Sequence, residues 1–192
     1  MTASFTTGES LTVPAGGEAL VKLSDGSQLV VGHPTQSSTL SFSGLTYKDD
    51  KGLLTQVKLL LTGGQAWVAA PTLRSRDGNM SEFEIETNGS VAAIRGTIFR
   101  IGGNIPGRAD IDLIEGSVAL RKRNASTPLS IVGGSEPGIL TVKRGETPKS
   151  IGITETAYQI TPETFTGEDR IIPLQLLQRI GTTSGANQSG TN

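Results

Sequence analysis

Phe-Glu-Ile-Glu-Thr at 83–87, Ala-Ala-Ile-Arg-Gly-Thr-Ile-Phe-Arg-Ile at 92–101 and Ile-Asp-Leu-Ile-Glu-Gly-Ser-Val at 111–118 are the stretches that decide the fold class. In the first stretch, apolar and acidic residues alternate, which places them on opposite faces of an extended strand. The second predicts two strands on either side of Gly96, and the third contains Gly116. Glycine inside such patterns marks a bend or a close approach of two backbones. All three stretches are therefore predicted to be β-structure.

Two glycine turns divide the first third of the chain. Ser-Asp-Gly-Ser at 24–27 separates two alternating apolar segments. Asp-Gly in that position predicts a hairpin, because glycine adopts positive φ without steric cost. Gly63-Gly64 follows a strand-like segment at 57–61 and precedes a second one at 66–69, which carries the single tryptophan, Trp67. We therefore predict strands on both sides of each turn.

The composition excludes several classes of function. Charged residues make up 18% of the 192 residues and the net charge is −1, so there is no electrostatic case for binding nucleic acid or an anionic membrane. The chain has no cysteine, which excludes disulfides and zinc–thiolate sites. With 25 glycines and 4% aromatic residues, we expect short strands, tight turns and an aliphatic core.

The N-terminus leaves two alternatives, a cytoplasmic protein or an excised piece of a longer one, and the C-terminal tail favours the piece. The N-terminus lacks the basic start and apolar segment of a signal peptide, and no apolar run is long enough for a transmembrane helix. Residues 171–180 allow a short helix, with Pro173 in its first turn and Gly181 at the capping position. Residues 182–192 have the composition of a flexible tail or linker.

A loose recurrence favours a wound double sheet. A turn glycine followed by a short apolar strand begins at Gly63, at Gly116 and at Gly138, with unequal spacing. Unequal spacing argues for repeated supersecondary winding and against a strict solenoid repeat. The predicted fold class is all-β: an antiparallel double sheet, either a sandwich or a solenoid-like winding, with a short C-terminal helix as an allowed addition.

The order of these motifs resembles the FecR-like domain of bacterial envelope signalling proteins. The match comprises 21–29 with its Asp-Gly-Ser, 57–66 with its Gly-Gly turn, and Phe-Glu-Ile-Glu-Thr, Ile-Arg-Gly-Thr-Ile-Phe and Glu-Gly-Ser-Val between 83 and 118. The resemblance covers about residues 6–123. It implies an all-β module without catalytic activity, which in its best-known setting lies outside the inner membrane within an anti-sigma regulator and relays the state of an outer-membrane receptor.

The resemblance also singles out a set of residues, to which we assign a structural role. Gly96 is expected to permit a bend, Thr97 to bond a nearby backbone group, and Arg95 to tie strands together through carbonyls or a carboxylate such as Glu115. The motif residues are Asp25, Gly26, Gly63, Gly64, Arg95, Gly96, Thr97, Phe99, Glu115 and Gly116.

No catalytic, metal or cofactor site is predicted. His33 is the single histidine, it lies in a loop-like segment, and no nucleophile-elbow sequence accompanies it. Asp110 and Asp112 share a strand face near Glu115, but they lack calcium-loop spacing and are expected to face solvent. Trp67 beside a glycine turn is expected in the core, with a sugar-stacking platform as the alternative.

The sequence thus predicts a FecR-like β domain over 6–123, a β extension ending in a short helix over 124–181, and a flexible tail or linker over 182–192. We expect a non-catalytic protein-interaction or scaffold module of a bacterial envelope protein, outside the cytoplasm, without cofactor. Its partner would be an envelope protein or a second copy of itself. The alternatives are a self-assembling subunit of a surface layer or filament, and a carbohydrate or cell-wall binding module.

Overall fold

The computed structural model describes residues 4–48, 53–70, 82–87, 90–103, 111–122, 131–132, 139–153 and 158–162. These ranges form strands and turns, with no helix among them, so the fold is all-β. The strands are β1 Ser10–Val13, β2 Glu18–Lys22, β3 Gln28–Gly32, β4 Ser38–Lys48, β5 Leu53–Thr62, β6 Gln65–Ala70, β7 Glu82–Glu86, β8 Ser90–Gly102, β9 Ile111–Lys122, β10 Ile131–Val132, β11 Ile139–Val142, β12 Lys149–Ile153 and β13 Tyr158–Pro162.

The alternation in the sequence corresponds to inward and outward faces. Phe83 and Ile85 of β7 are buried, whereas Glu84 between them is partly exposed. In β2, Val21 is buried and Leu20 is exposed. The predicted Asp-Gly hairpin is present, because β2 pairs antiparallel with β3. A period of two is therefore realised as one face on the core and one face toward the outside.

Two arms of sheet share the β8–β9 hairpin. The first arm joins β1, β4, β5 and β7 to the first half of β8, and β11 to the second half of β9. The second arm joins β2, β3 and β6 to the second half of β8, and β12 and β13 to the first half of β9. The two long strands pair with each other along their length, so the hairpin is the common spine of the double sheet.

The hairpin bends at its glycines. Gly96 and Gly116 both have positive φ, +54° and +104°, and the register of β8 against β9 shifts between Arg95 and Ile98. The sequence predicted separate strands on either side of Gly96. The structure contains one strand, β8, which bends at this glycine because glycine tolerates the required conformation.

The chain winds from one arm to the other. β5 lies in the first arm, β6 in the second, and β7 returns to the first arm, where it pairs parallel with β5. β10 and β13 are also parallel, whereas the other recorded pairings are antiparallel. The chain crosses to the other arm between β5 and β7 and returns in its original direction, which is why this part of the predicted antiparallel sheet is parallel.

One apolar core lies inside the two arms. It includes Phe42 and Leu61 from the first arm, Leu29 and Val68 from the second, and Phe99 from the shared hairpin, all of them buried. Burial of each such side chain contributes about 1.5–3 kcal/mol. Because the cluster contains residues of both arms, the aliphatic core predicted from the composition holds the two arms together.

The helix predicted at 171–180 and the tail predicted at 182–192 lie outside the described residues. From the predicted extension, β11 and β12 both pair directly with β9. The described ranges contain no helix long and apolar enough to cross a membrane.

Candidate functional site

The tightest contact in the spine lies at the bend. A Cβ atom on Gly116 would stand 2.2 Å from the Gly96 carbonyl oxygen and 2.6 Å from the Thr97 Cα atom. Thr97 Oγ1 donates to the Ser117 carbonyl oxygen at 2.8 Å and accepts from the Ser117 amide at 3.2 Å. The threonine hydroxyl thus bonds both backbone groups of Ser117 near the register shift. Gly96, Thr97 and Gly116 together therefore hold the two strands in contact at the bend.

Two other motif residues of this region act elsewhere. Phe99 is buried in the main core. Glu115 lies near Arg144, with Arg144 Nε 3.9 Å from Glu115 Oε2, and the arginine is largely exposed. The side chain of Arg95 lies outside the described part, so its predicted strand-tying role stays a prediction.

Gly63 and Gly64 form a corner between the arms. Their φ angles are +67° and +58°, and a Cβ atom on Gly64 would stand 1.7 Å from Ser38 Oγ. The Gly103 amide donates to the Gly64 carbonyl oxygen at 2.9 Å, and a Cβ atom on Gly103 would stand 2.5 Å from the Gly63 carbonyl oxygen. The corner therefore requires glycine for close approach as well as for its turn.

Asp25 and Gly26 build the turn between β2 and β3. The buried Asp25 carboxylate accepts the Ser27 amide at 2.8 Å and the Ser27 hydroxyl at 2.9 Å. Gly26 has φ +87°. The carboxylate closes an Asx-type turn, which explains why aspartate and glycine occur together here.

A buried charge pair lies on the outward face of the second arm. Arg100 and Asp112 are cross-strand neighbours on β8 and β9 and form a salt bridge in which the arginine Nε also donates to Asp112 Oδ2. They are 4% and 1% exposed. Ser150 Oγ donates to Asp112 Oδ1 at 2.7 Å, and Arg100 Nη1 donates to Gln65 Oε1 at 3.1 Å. Both charges therefore have hydrogen-bonding partners, as buried ions require.

This charge pair corrects the sequence interpretation of Asp112, which predicted a solvated face. Alternation gives the face of a side chain but does not say whether that face is covered. The signal that was missed is an arginine between Phe99 and Ile101 on one hairpin strand and an aspartate between Ile111 and Leu113 on the other. Opposite charges inside two adjacent apolar strands are typical of a buried pair. Asp110 lies outside the described residues.

Trp67 belongs to the same outward face. It pairs in register with Arg100, whose guanidinium carbon lies 6.0 Å from the centre of the indole ring. Trp67 is 1% exposed and packs with Ala69 and Ile98 in a second apolar cluster. The indole is therefore core, as expected, and offers no exposed platform for a sugar ring.

A partly exposed charge row crosses the outward face of the first arm. Glu84 lies between two cations, with Lys58 Nζ at 3.7 Å and Arg121 Nη2 at 3.5 Å from its carboxylate oxygens. Both cations are roughly half exposed. The accessible part of this row is its two cations, because the Glu84 side chain is 14% exposed.

Four strands form edges of the described sheet. β1 pairs with β4, β2 with β3, β10 with β13 and β11 with β9, each on one side within the described ranges. Two large apolar side chains on these edges are exposed: Leu20 of β2 at 42% and Ile139 of β11 at 39%. Edge strands present N–H and C=O groups that can pair with another chain.

The described residues bear on catalytic chemistry through two features, their metal-binding side chains and the surroundings of the single histidine. They contain no group of three or more His, Asp or Glu side chains that could hold a metal ion. The imidazole of His33 accepts the Thr35 amide at Nδ1 over 3.2 Å, as expected for a loop histidine. The exposed groups described above lie at the sheet edges and on the outward faces.

The comparisons with known proteins agree with this architecture. The family model described as FecR protein matches residues 9–119, which is more than half of the chain and includes the hairpin spine. The chain belongs to the FecR family. This places it among regulator domains related to signalling.

Two crystal structures are similar to this chain, each of a protein provisionally named an anti-sigma factor from Parabacteroides distasonis. Their TM-scores are 0.51 and 0.49, and each is 12% identical to this FecR-family chain over 81% of it. The chain covers 60% of the length of those proteins. A search of curated proteins finds no match. At this identity, the structure with the higher score shows the fold and no more.

Proposed function

We propose that this FecR-family domain is a non-catalytic protein-interaction module that works outside the cytoplasm, as part of an envelope signalling regulator. The observation that carries the proposal is the combination of a FecR match over the hairpin spine with sheet edges that are paired on one side in the described part. Open edges bind extended segments of other proteins through main-chain hydrogen bonds.

The first arm is the proposed surface for an envelope partner. Its edges are β1 and β11, and the outward face between them carries the Lys58–Glu84–Arg121 charge row. A strand added beside β1 or β11 would extend the sheet, and the charge row would select complementary side chains on that partner. These features favour a partner that adds a strand at one edge and also contacts the outward face beside it.

Site-specific photo-crosslinking in the native host tests the proposal. A photoreactive amino acid replaces one of three exposed threonines. Thr12 on β1 and Thr141 on β11 lie on edge strands, whereas Thr62 lies on the inner strand β5. We expect one envelope protein to be captured from Thr12 or Thr141 and not from the matched control, Thr62. Capture from Thr62 alone would contradict edge binding.

The location is tested separately. Protease added to spheroplasts should degrade the domain without lysis if it lies outside the cytoplasm. Protection until lysis would contradict the proposed location and leave the edge-binding result to be judged by itself.

Self-assembly into a surface layer or filament is the second candidate, favoured by the exposed Leu20 and Ile139 on two different edges. Filament growth requires contacts that do not close on themselves. Electron microscopy of the purified chain decides between filaments and discrete particles. The carbohydrate alternative has lost its main support, because Trp67 is buried.

A further inference from the structure

The edge strand β2, Glu18-Ala-Leu-Val-Lys22, is self-complementary on its outward face. Its central leucine is flanked by one negative and one positive residue at equal spacing. Glu18, Leu20 and Lys22 are exposed, whereas Ala19 and Val21 point toward the core side. The two charges of opposite sign flank the leucine symmetrically. When such a strand is turned end for end, each charge lies where the opposite charge was.

The backbone hydrogen-bonding pattern of β2 agrees with this side-chain pattern. The Leu23 amide donates to the Ser27 carbonyl oxygen at 2.9 Å, which makes Leu23 and Ser27 a hydrogen-bonded pair. Hydrogen-bonded and non-hydrogen-bonded pairs alternate along an antiparallel ladder. With the recorded register of β2 on β3, Ala19 and Val21 bond β3. Glu18, Leu20 and Lys22 therefore direct their N–H and C=O groups to the edge that has no partner strand among the described residues.

We propose that β2 is a self-recognition edge, at which two copies of this chain pair antiparallel about a two-fold axis through Leu20. In this register Leu20 lies opposite the partner's Leu20, and Glu18 lies opposite the partner's Lys22. The residues that face each other are the ones whose backbone groups point to the edge, so hydrogen bonding, apolar contact and charge all agree.

This inference goes beyond the proposed function. A two-fold edge contact is isologous and closes after two copies, so it gives a dimer and not a filament. It uses the second arm and leaves β1 and β11 of the first arm for an envelope partner. Loss of the dimer would therefore not remove the partner surface. Because one short strand buries little area, the dimer is expected to be weak and to depend on concentration.

Sedimentation equilibrium of the purified chain over a concentration series tests the proposal. The wild type should approach the mass of a dimer. E18K and K22E should each weaken association about tenfold or more, because like charges then face each other across the axis. An equimolar mixture of E18K and K22E should associate again, since only the mixed pair restores opposite charges at both positions. The swapped variant E18K/K22E should associate like the wild type.

K143E is the matched control, because Lys143 is exposed, lies outside β2 and undergoes the same change of charge as Lys22 in K22E. It should behave like the wild type. A monomeric wild type at all concentrations would overturn the proposal. It would also be overturned if E18K and K22E associated like the wild type, or if their mixture associated no better than either alone.

Disulfide trapping gives a second readout that does not depend on charge. The chain contains no cysteine, so Leu20→Cys introduces a single thiol. Cα atoms of a hydrogen-bonded antiparallel pair lie about 5.5 Å apart, within the range that a disulfide spans. Mild oxidation should link Leu20→Cys into a dimer and leave Thr141→Cys largely unlinked. The reverse result would place self-association at β11 and overturn the proposal for β2.

Discussion

Gly116 lies so close to Gly96 that a Cβ atom on Gly116 would stand 2.2 Å from the Gly96 carbonyl oxygen. This contact is made where β8 and β9 change register. The same two strands carry the pairings of both arms. The geometry of the double sheet therefore depends on the absence of one side chain.

Gly116→Ala should destabilise the domain by about 3 kcal/mol or more, because the new methyl group meets backbone atoms and the residue keeps a positive φ. Gly8→Ala is the matched control: its φ of +94° is similar, but nothing lies within 4 Å of its Cβ position. It should lose about 1–2 kcal/mol, from conformation alone. Urea denaturation measures both. Equal losses in the two variants would show that the contact with Gly96 is unimportant.

The buried pair of Arg100 and Asp112 should be strongly coupled. Arg100→Met leaves the buried Asp112 carboxylate without its cation, and Asp112→Leu leaves the buried Arg100 guanidinium without its anion. Each variant should therefore lower the free energy of unfolding by about 3–5 kcal/mol. The double variant should lose less than the sum, with a coupling energy of about 1–3 kcal/mol. The same cycle for Glu84 and Lys58, whose side chain is 44% exposed, should give about 1 kcal/mol or less. Additive losses at Arg100 and Asp112 would argue against a direct interaction.

The charge row around Glu84 should respond to salt. Glu84→Gln removes both ion pairs, but Lys58 and Arg121 are roughly half exposed, so the loss should stay below about 1 kcal/mol and shrink as salt screens the charges. Asp112→Asn serves as the buried comparison, and its loss should change little with salt. Thermal unfolding at low and high ionic strength measures both. A large loss in Glu84→Gln that salt does not reduce would contradict this account.

Variants of Asp25 should show whether its turn is stabilised by hydrogen bonding or by the carboxylate charge. Asp25→Ala removes both bonds to Ser27 and should lower stability by about 1–3 kcal/mol. Asp25→Asn keeps an oxygen for the Ser27 amide, and the Ser27 hydroxyl can accept from the new NH₂ group, so it should lose less. Chemical denaturation of the two variants provides the test. If both lose the same amount, the carboxylate charge and not the hydrogen bonding holds the turn.

Local features of this fold follow from the sequence because they depend on neighbouring residues. The alternation of Phe83, Glu84 and Ile85 determines which side of β7 faces the core, and Asp25-Gly26 determines a hairpin. Both depend on the pleat and on permitted φ angles. The resemblance to the FecR family, confirmed by the match to residues 9–119, rests on the same motifs.

Long-range features do not follow in this way. The parallel pairing of β5 with β7 depends on where β6 lies, in the other arm. The burial of Asp112 depends on the register that places Arg100 beside it and on the covering of the outward face. The alternation around Asp112 alone is equally compatible with solvent, and the signal for burial appears only when Arg100 on the facing strand is considered with it.

The shared spine has a consequence for synthesis of the chain. β8 and β9 follow seven shorter strands in the sequence, yet both arms are joined through them. As the ribosome releases the chain, strands of both arms emerge before the β8–β9 hairpin that joins the arms, so their aliphatic faces cannot yet close into the shared core. Non-local pairing of this kind is slow and exposes the nascent chain to aggregation. Chaperone binding should therefore be greatest before residue 122 leaves the ribosome, and truncation before that point should yield insoluble protein.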